Sequence, residues 1–308
     1  MIIVFGSINL DLIFALDHLP SSGETVLGPA ARIEPGGKGA NQAVAAARDG
    51  ATVLMAGCVG QDALADGALA TLRADGVDLS RVSRGDWATG CAAICTDTAG
   101  RNQIAVGSGA NLQARADQVE DALLAPGATL LLQRETDPQQ TAALIRRARA
   151  RGARIILNLA PAGPLDADAL RALDLLIVNE TEAEWLAAQH GTTPDAAGLH
   201  QALGIGIVRT LGERGAEWAS PESAGPESAG HIAAHPIEVV DTTAAGDCFA
   251  GVLAAALDRG LGRAAAMARA GVAAGLCCSR EGSQNSLPTR AETDQANSAS
   301  AASAPATG

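Results

Sequence analysis

The sequence predicts an α/β fold in which a doubly wound, mostly parallel sheet carries helices on both faces, with an added small β-strand lid. Two observations predict the sheet. Short apolar runs alternate with alanine-rich segments of helical periodicity along most of the chain. Hydrophobic residues make up 47% of the 308 residues but aromatic residues only 2%, so the core must be built from aliphatic side chains. Buried parallel strands covered by small-residue helices suit that composition.

The alternation also gives the order of the elements. Strands are predicted at residues 2–5, 52–56, 129–132, 155–158, 175–178 and 205–209, and helices at 41–48, 63–75, 139–151 and 180–189. A strand followed by a helix and a second strand is typical of a crossover between parallel strands. The series therefore predicts one continuous sheet.

Some segments depart from this rhythm. Residues 12–35 and 86–107 contain turn residues and short alternating runs, which predict small strands outside the main sheet that form the lid. Residues 221–230 repeat Pro-Glu-Ser-Ala-Gly twice and predict a flexible surface loop. Large apolar residues are almost absent after Pro288, so residues 291–308 are predicted to be a disordered tail and residues 1–290 a single domain.

Charge and composition exclude several classes of protein. The net charge of −12 and the six aromatic residues argue against nucleic-acid binding, which uses basic surfaces and stacked aromatic rings. No segment has the length of apolar sequence that a membrane helix needs, and the N-terminus lacks the basic start of a signal peptide. Six scattered cysteines without a Cys-x-x-Cys pair do not indicate a disulfide scaffold or a zinc site. We therefore expect a cytoplasmic protein.

The first motif with chemical content is a glycine-rich turn that opens a helix. Residues 36–43 read Gly-Gly-Lys-Gly-Ala-Asn-Gln-Ala. Glycines allow a ligand to approach the backbone closely, and the N–H groups at a helix start favour oxygen-rich or anionic groups. The pattern is not a Walker A loop, because Lys38 is followed by Gly39 and not by Ser or Thr. A turn that only caps its helix is the alternative.

The second motif, residues 241–251, reads Asp-Thr-Thr-Ala-Ala-Gly-Asp-Cys-Phe-Ala-Gly and leads into another helix. A helix start presents unpaired N–H donors and the positive end of the helix dipole, which stabilise developing negative charge. Asp247 is then placed to accept a proton from an attacking hydroxyl, as phosphoryl transfer requires. The alternative is that Asp247 simply caps the helix.

Together the two motifs resemble the signatures of the PfkB, or ribokinase-like, carbohydrate kinases, and the resemblance covers about residues 1–290. Five further segments resemble family elements in the family's order. They are the opening strand with its sugar-contacting Asn-x-Asp at 6–11, the segment ending in a sugar-binding glutamate at 131–135, the Asn-x-x-Glu element at 179–182, the nucleotide-phosphate loop at 210–215, and the segment beside adenine and a monovalent cation at 280–286.

The resemblance implies ATP-dependent phosphorylation of D-ribose at its 5-hydroxyl, with Mg²⁺ and a monovalent cation such as K⁺ as cofactors. The implied general base is Asp247, with an anion hole at Ala244, Ala245 and Gly246. The implied sugar-binding residues are Asn9, Asp11, Gly37, Lys38, Gly39, Ala40, Asn41, Glu135 and Asp247. The implied nucleotide-binding residues are Asn179, Thr210, Leu211, Gly212, Glu213, Arg214, Gly215, Gly246 and Gly271. The implied metal-binding residues are Asp241, Thr243, Cys277, Arg280, Gly282 and Ser286 for the monovalent cation and Glu182, through water, for Mg²⁺.

The resemblance also implies a homodimer formed through the lid, with Phe14, Leu16, Ala93 and Cys95 as candidate interface residues. The lone lysine, Lys38, is expected to reach the oxygens of the transferred phosphate from the glycine-rich turn, because its ammonium group is a compact charge on a flexible side chain. Two positions depart from the family pattern. Gly271 stands where a polar residue often lies beside adenine, and Arg134 replaces an apolar residue between Gln133 and Glu135. An inward Arg134 favours an acidic or phosphorylated sugar, whereas an outward Arg134 lies in solvent.

Two alternatives to a ribose-phosphorylating enzyme stay open. A kinase of the same fold acting on another sugar, a sugar phosphate or a nucleoside shares every family motif, although the scarcity of aromatic residues argues against a nucleoside. A non-catalytic protein that binds a sugar or a nucleotide is the second alternative. The presence of Asp247 beside its anion hole argues against it, because binding alone needs no base.

Overall fold

The computed structural model describes residues 1–99, 101–221 and 227–303. In chain order the strands are β1 (Ile2–Phe5), β2 (Asn9–Ala15), β3 (Ala31–Gly36), β4 (Val53–Val59), β5 (Asp78–Arg84), β6 (Gly90–Thr96), β7 (Asn102–Gly107), β8 (Thr129–Leu132), β9 (Arg154–Asn158), β10 (Leu175–Val178), β11 (Gly206–Thr210), β12 (Ala216–Ala219) and β13 (Ala229–Ile232).

The α-helices are α1 (Lys38–Arg48), α2 (Leu64–Ala68), α3 (Ala70–Ala74), α4 (Pro138–Arg151), α5 (Ala167–Arg171), α6 (Glu180–His190), α7 (Ala196–Leu203), α8 (Ala245–Asp258), α9 (Arg263–Cys278) and α10 (Arg290–Ser303). Short 3₁₀ helices lie at Gly109–Gln113, Ala116–Gln118, Asp121–Leu124 and Gly212–Arg214.

Within the described residues, nine strands form one sheet in the order β13-β12-β11-β10-β9-β8-β1-β4-β5. The strands from β11 to β5 pair in parallel, and β12 and β13 extend one edge antiparallel. β1, β8 and β10 are buried along their whole length, because helices cover both faces of the sheet. The predicted α/β class with a mostly parallel sheet is confirmed.

Successive residues of β1 point to two separate cores. Ile2 and Val4 pack with apolar residues of α1, α8 and α9 on one face. Ile3 and Phe5 pack with apolar residues of α4 to α7 on the other face. Because side chains alternate along a strand, a continuous apolar run fills both cores at once.

The lid segments form a second sheet, which in the described part of the chain has four strands in the order β3-β2-β6-β7. It extends beyond the predicted limits, since β2 begins at Asn9 and β3 ends at Gly36. The register places Asp11 opposite Glu34 on one neighbour and opposite Ala92 on the other. Directly opposed residues share a face, so one face of this sheet carries both carboxylates.

Several elements differ from the sequence prediction. Residues 78–84 form β5, a strand missed because its polar residues alternate at an exposed edge of the sheet. The predicted helix 63–75 is interrupted at Leu69 and becomes α2 and α3. Part of the predicted loop 221–230 forms β13, which pairs with β12, while residues 222–226 lie outside the described residues.

The predicted disordered tail is wrong where the chain is described, because Arg290–Ser303 is the helix α10. Glu292 accepts a hydrogen bond from the Thr289 amide at 2.7 Å, which caps the helix start, and it pairs with Arg280 at 2.7 Å. Asp294 pairs with Arg269, a side chain that is only 8% exposed, and Thr293 is buried. Because these contacts are ion pairs and polar hydrogen bonds, hydrophobic periodicity in the sequence does not reveal them. Residues 304–308 lie outside the described residues.

Truncation of the chain after Pro288 is expected to lower the free energy of unfolding by about 1–3 kcal/mol. The truncation removes one partner of the half-buried Arg280 and one partner of Arg269, and buried charged groups are costly when they lose a partner. Urea unfolding of the truncated and full-length chains measures the difference. Truncation after Ser303 is the matched control and should change nothing. Equal stability of all three chains would contradict the docking of α10.

Candidate active site

The predicted site residues converge at the carboxyl ends of the parallel strands, between the main sheet and the lid. Ser7 follows β1, Glu135 follows β8, Asn158 ends β9, Asn179 follows β10 and Thr210 ends β11. In open parallel sheets this edge is where ligands bind. The lid joins the main sheet at the same edge, because β2 starts only four residues after β1 ends.

The glycine-rich turn fits tightly against the chain that leaves β1. Gly37 has a φ of +88°, a conformation that favours glycine. A Cβ atom on Gly39 would lie 2.6 Å from the amide nitrogen of Ser7, so a larger residue does not fit without backbone movement. The glycines therefore bring the start of α1 onto the end of β1.

Glu135 lies over this helix start. The Ser7 hydroxyl donates to Glu135 Oε2 at 2.5 Å, and the Lys38 amide donates to the same oxygen at 3.2 Å. The Gly39 amide donates to Ser7 Oγ at 3.3 Å. Glu135, the predicted sugar-binding glutamate, is thus held by Ser7 at the end of β1 and by the backbone of the glycine-rich turn.

Asn9 and Asp11 lie on the inner face of the lid. Asn9 Oδ1 accepts from Asn111 Nδ2 at 2.7 Å, and Asn111 Oδ1 accepts from the Ile8 amide at 2.8 Å. Asp11 Oδ1 is buried and has no hydrogen-bond partner among the described residues. A Cβ atom on Gly36 would lie 2.0 Å from Asp11 Oδ2, so the close packing requires glycine there.

The environment raises the pKa of Asp11 to about 7. Burial is the largest cause, followed by the negative charges of Glu135, Glu34 and Asp247, while Lys38 acts in the opposite direction. An unpartnered carboxyl group with such a pKa is typical of a ligand site.

Asp247 lies in the first turn of α8 and is only 7% exposed. Its two carboxylate oxygens accept from Asn41 Nδ2 at 3.0 Å and from Gln42 Nε2 at 2.9 Å. The two signature motifs, about 200 residues apart in sequence, are therefore in direct contact. Asp247 does not cap its helix, which has no side-chain cap.

The start of α8 is open toward this site. Ala244 has a φ of +59° and is the one non-glycine residue of the described chain with positive φ. A Cβ atom on Gly246 would meet nothing within 4 Å, whereas most glycines of the site are tightly packed. Of the three predicted anion-hole amides, that of Ala245 donates weakly to the Thr242 carbonyl at 3.3 Å. Those of Ala244 and Gly246 have no partner in the described chain.

Lys38 is surrounded by carboxylates. The charges of Asp247, Glu135, Glu182 and Asp11 raise the pKa of its ammonium group, with Asp247 the largest cause, and burial opposes them. The ammonium group forms no ion pair or hydrogen bond with another described residue, so its donors remain available. A raised pKa keeps Lys38 positively charged at neutral pH.

The residues predicted to bind a monovalent cation also come together. Asp241 accepts from the amides of Thr243 at 2.8 Å and Gly282 at 3.0 Å. Cys277 Sγ lies 3.6 Å from the Thr243 carbonyl and 3.1 Å from Ser286 Oγ. Arg280 differs, because its side chain points to Glu292 of α10, so only its backbone is left to face this loop.

The predicted nucleotide-binding residues line the neighbouring loops. Asn179 and Glu182 cap α6 reciprocally, each accepting at 2.8 Å from the amide of the other, and burial raises the pKa of Glu182. In the loop from Thr210 to Gly215, the Leu211 amide donates to the Gly215 carbonyl at 2.8 Å. Within the same loop Glu213 is exposed, and Gly212 has the positive φ of a tight turn.

Two further residues that were predicted to bind the nucleotide contact other parts of the protein. Arg214 pairs with Glu180 at the start of α6. Gly271 lies on α9, where a Cβ atom would come within 2.8 Å of the Ile232 side chain on β13. Gly271 thus permits close packing of α9 on the edge of the main sheet.

Arg134 follows neither of the two predicted orientations. Its guanidinium donates to the carbonyls of Gly163, at 2.9 Å, and Pro164, and burial lowers its pKa. It therefore fixes the loop after β9 and supplies no charge beside Glu135.

Several polar residues of the site were not predicted. Ser7 and Gln42 bond to the predicted residues Glu135 and Asp247, and Gln133 and Asn158 bond to Gln42. Glu34 of the lid accepts from the Ser283 amide at 3.3 Å. A pattern in the sequence could have identified three of these residues. Ser7, Gln133 and Asn158 each lie at or just after the end of a buried apolar strand, where polar residues are unexpected unless they face a site.

No helix among the described residues is long and apolar enough to cross a membrane. No group of three or more His, Cys, Asp or Glu side chains in that part of the chain is arranged to hold a metal ion.

Comparison with known proteins identifies the chain's relatives. Residues 1–290 match the model of the pfkB family of carbohydrate kinases. A ribokinase of Bacillus subtilis is 36% identical over 296 residues, covering 96% of this chain and 98% of that protein. The crystal structure of a Thermotoga maritima ribokinase aligns with a TM-score of 0.87 at 30% identity, covering 96% of this chain and 98% of the other. An Arabidopsis thaliana ribokinase complexed with ribose and ATP aligns with a TM-score of 0.84 at 27% identity and the same coverage.

Proposed function

The chain belongs to the pfkB family of carbohydrate kinases and is an ATP-dependent sugar kinase, and we propose that it phosphorylates D-ribose on the 5-hydroxyl. The observation that carries the proposal is the contact between Asp247 and the pair Asn41 and Gln42, which puts a carboxylate between the glycine-rich turn and an open helix start. The ribose and ATP bound by the Arabidopsis relative support the choice of substrates.

The sugar would bind between the lid and the start of α1. Its hydroxyls would meet Asn9, Asp11, Asn41 and Glu135, together with backbone groups of residues 37–40. A polyol requires many fixed partners, because each buried polar group left unpaired is costly. The unpartnered Oδ1 of Asp11 is suited to accept from one of these hydroxyls.

Asp247 would act as the general base. It takes the proton of the 5-hydroxyl while that oxygen forms a bond to the γ-phosphorus of ATP, and the bond from this phosphorus to the β–γ bridging oxygen breaks to release ADP. Amides at residues 244–246, the α8 dipole and the Lys38 ammonium would stabilise the charge on the transferring group. Displacement at phosphorus depends mainly on such positioning and electrostatics.

The nucleotide would lie along Asn179, Gly246 and the loop 210–215, whereas Gly271 is taken up by packing against Ile232. Magnesium would enter with ATP and neutralise phosphate charge, with Glu182 nearby through water. The oxygens around Asp241, Thr243, Cys277, Gly282 and Ser286, with the Arg280 backbone, suit a weakly charged monovalent cation. The lid would exclude water from the transferred group.

The charge of the pocket favours a neutral acceptor over a sugar phosphate. Asp11, Glu34, Glu135 and Asp247 carry carboxylates there, against the single ammonium of Lys38, and Arg134 adds no positive charge. A second phosphate on the sugar would meet repulsion at this site.

We also propose that the outer face of the lid pairs with a second copy. Leu12 and Phe14 lie on that face. Leu12 is opposite Ile33, which is 63% exposed, and Leu12 and Phe14 are opposite Ala93 and Cys95 of β6 respectively. Leu16, another interface candidate, is already buried in the protomer beneath Gly28. Light scattering should give twice the 30.8 kDa mass. An Ile33→Asp variant should give the monomer mass.

A coupled assay of ADP release tests the substrate. Ribose, deoxyribose, fructose, adenosine and ribose 5-phosphate are compared with and without K⁺. We expect the highest kcat/KM for ribose and a clear gain with K⁺. Equal or higher kcat/KM for another acceptor would overturn the assignment to ribose, and absence of ADP release from every acceptor would argue for a binding protein.

The affinity for the sugar is expected to rise with pH. The pKa of Asp11, near 7, means that its carboxyl is mostly protonated at pH 6 and mostly ionised at pH 8. An ionised carboxylate accepts stronger hydrogen bonds from sugar hydroxyls, so the dissociation constant should fall up to about tenfold over this range. Isothermal titration calorimetry in the absence of ATP measures this dissociation constant. In Asp11→Asn the binding should be weaker and nearly independent of pH, and an unchanged slope in that variant would assign the effect to another group.

A further inference from the structure

A buried chain of side-chain amides lies directly behind Asp247. Gln42 donates from Nε2 both to Asp247 Oδ1 at 2.9 Å and to Asn158 Oδ1 at 3.2 Å. Its Oε1 accepts from Gln133 Nε2 at 2.7 Å. The exposed fractions are 0% for Gln42, 1% for Gln133 and 7% for Asn158. The chain therefore crosses from α1 to the ends of β8 and β9 inside the protein.

These partners fix which end of the Gln42 amide faces the carboxylate. The oxygen is occupied by the Gln133 donor, and the nitrogen faces two acceptors. A flipped amide would set its nitrogen against the Gln133 donor and its oxygen against two acceptors, Asp247 Oδ1 and Asn158 Oδ1, and unpaired buried polar groups are costly. The donor aimed at Asp247 Oδ1 is thus set by residues on two strands of the main sheet.

The helix that carries Asp247 is packed to allow this contact. Gly251 lies one turn after Asp247 on α8, and a Cβ atom there would lie 2.5 Å from the Gln42 carbonyl oxygen. The close approach of α8 to α1 brings the carboxylate within reach of both Asn41 and Gln42. Asn41 Oδ1 accepts from Ser283 Oγ at 3.2 Å and from Gln284 Nε2 at 3.1 Å. Gln42 is fully buried and has no access to a ligand.

We infer that Gln42 is a positioning residue, which holds the Asp247 carboxylate in the orientation needed to take the hydroxyl proton. Gln133 and Asn158 hold Gln42. With Asn41 donating to Oδ2 and Gln42 donating to Oδ1, both oxygens of the Asp247 carboxylate are held by side-chain amides. The inference rests on the proposed role of Asp247 as base.

The first test is Gln42→Met, which keeps the length of the side chain and removes the amide. A misplaced base costs rate more than binding, so kcat should fall about 10- to 100-fold while KM for sugar and ATP changes less than about threefold. Gln118→Met is the matched control. Gln118 bridges Gly57 O at 2.8 Å and Arg81 O at 2.7 Å far from Asp247, so the same substitution there should leave kcat within about twofold.

A double-mutant cycle separates positioning from general damage. In the Asp247→Asn background no carboxylate remains to be oriented, so adding Gln42→Met should lower the residual turnover less than about threefold. The same fold loss in both backgrounds, or a wild-type kcat for Gln42→Met, would overturn the inference. Wild-type turnover of Asp247→Asn alone would instead overturn the assignment of the base.

Circular dichroism shows whether Gln42→Met folds, and Gln133→Met replaces it in the same cycle if it does not. Gln133 donates to Gln42 and forms no hydrogen bond with Asp247 among the described residues, so the inference predicts that its effect on Asp247 passes through Gln42. We expect kcat to fall about three- to tenfold in the wild-type background and not to change in the Asp247→Asn background. An unchanged kcat in the wild-type background, or an equal fold loss of kcat in the Asp247→Asn background, contradicts the inference.

Discussion

Asp247→Asn is expected to lower kcat by about 1,000-fold while leaving the dissociation constant of the sugar within about threefold. Asparagine has nearly the same shape and can still accept from Gln42 through its oxygen, but it cannot take the hydroxyl proton. The loss therefore falls on the chemical step. Single-turnover measurements with saturating ATP give the rate, and calorimetry gives the affinity for the sugar.

Asp258→Asn supplies the matched control, because Asp258 lies at the other end of the same helix. Its carboxylate pairs with the N-terminal amine of Met1 at 2.9 Å and not with the site. We expect a kcat within about twofold of wild type. If Asp247→Asn kept more than a tenth of wild-type kcat, Asp247 would not be the base.

Lys38→Met is expected to lower kcat/KM for ATP by about 100-fold or more. The variant removes the positive charge that sits among Asp247, Glu135, Glu182 and Asp11, and with it a donor for the transferred phosphoryl group. Removing one preformed donor to developing negative charge costs about 10²–10³ in rate in comparable sites. Steady-state kinetics with varied ATP measures the change.

Lys38→Arg distinguishes charge from shape. Arginine keeps the positive charge, but its planar guanidinium is larger and less adaptable than an ammonium group. We expect an activity between those of wild type and Lys38→Met. Unchanged kinetics in both variants would remove Lys38 from the account of phosphate binding.

Much of the fold could be predicted because its signals are local. The strands 2–5, 129–132 and 175–178 have the predicted bounds, since an apolar run buried on both faces is itself the signature of a central parallel strand. The meeting of the two motifs was implied by the family resemblance, which assigns both motifs to one active site.

What could not be predicted depends on side-chain partners that are distant in sequence. Gln42 was visible within the glycine motif, but nothing in the sequence indicated that Gln133 would fix its amide. Glu34 became part of the pocket only through the register that opposes it to Asp11. The helix α10 has no apolar stripe and is held by Arg269 and Arg280, more than ten residues away.

The most direct test of the proposed phosphorylation of ribose identifies the product of one reaction. The enzyme is incubated with ribose labelled with ¹³C at carbon 5, ATP, Mg²⁺ and K⁺, and the mixture is followed by ¹³C and ³¹P NMR. We expect a single sugar product, ribose 5-phosphate, in which the labelled carbon couples to phosphorus, formed in equal amount with ADP and lost in Asp247→Asn. Phosphate on carbon 1, or consumption of ATP without a sugar phosphate, would contradict it.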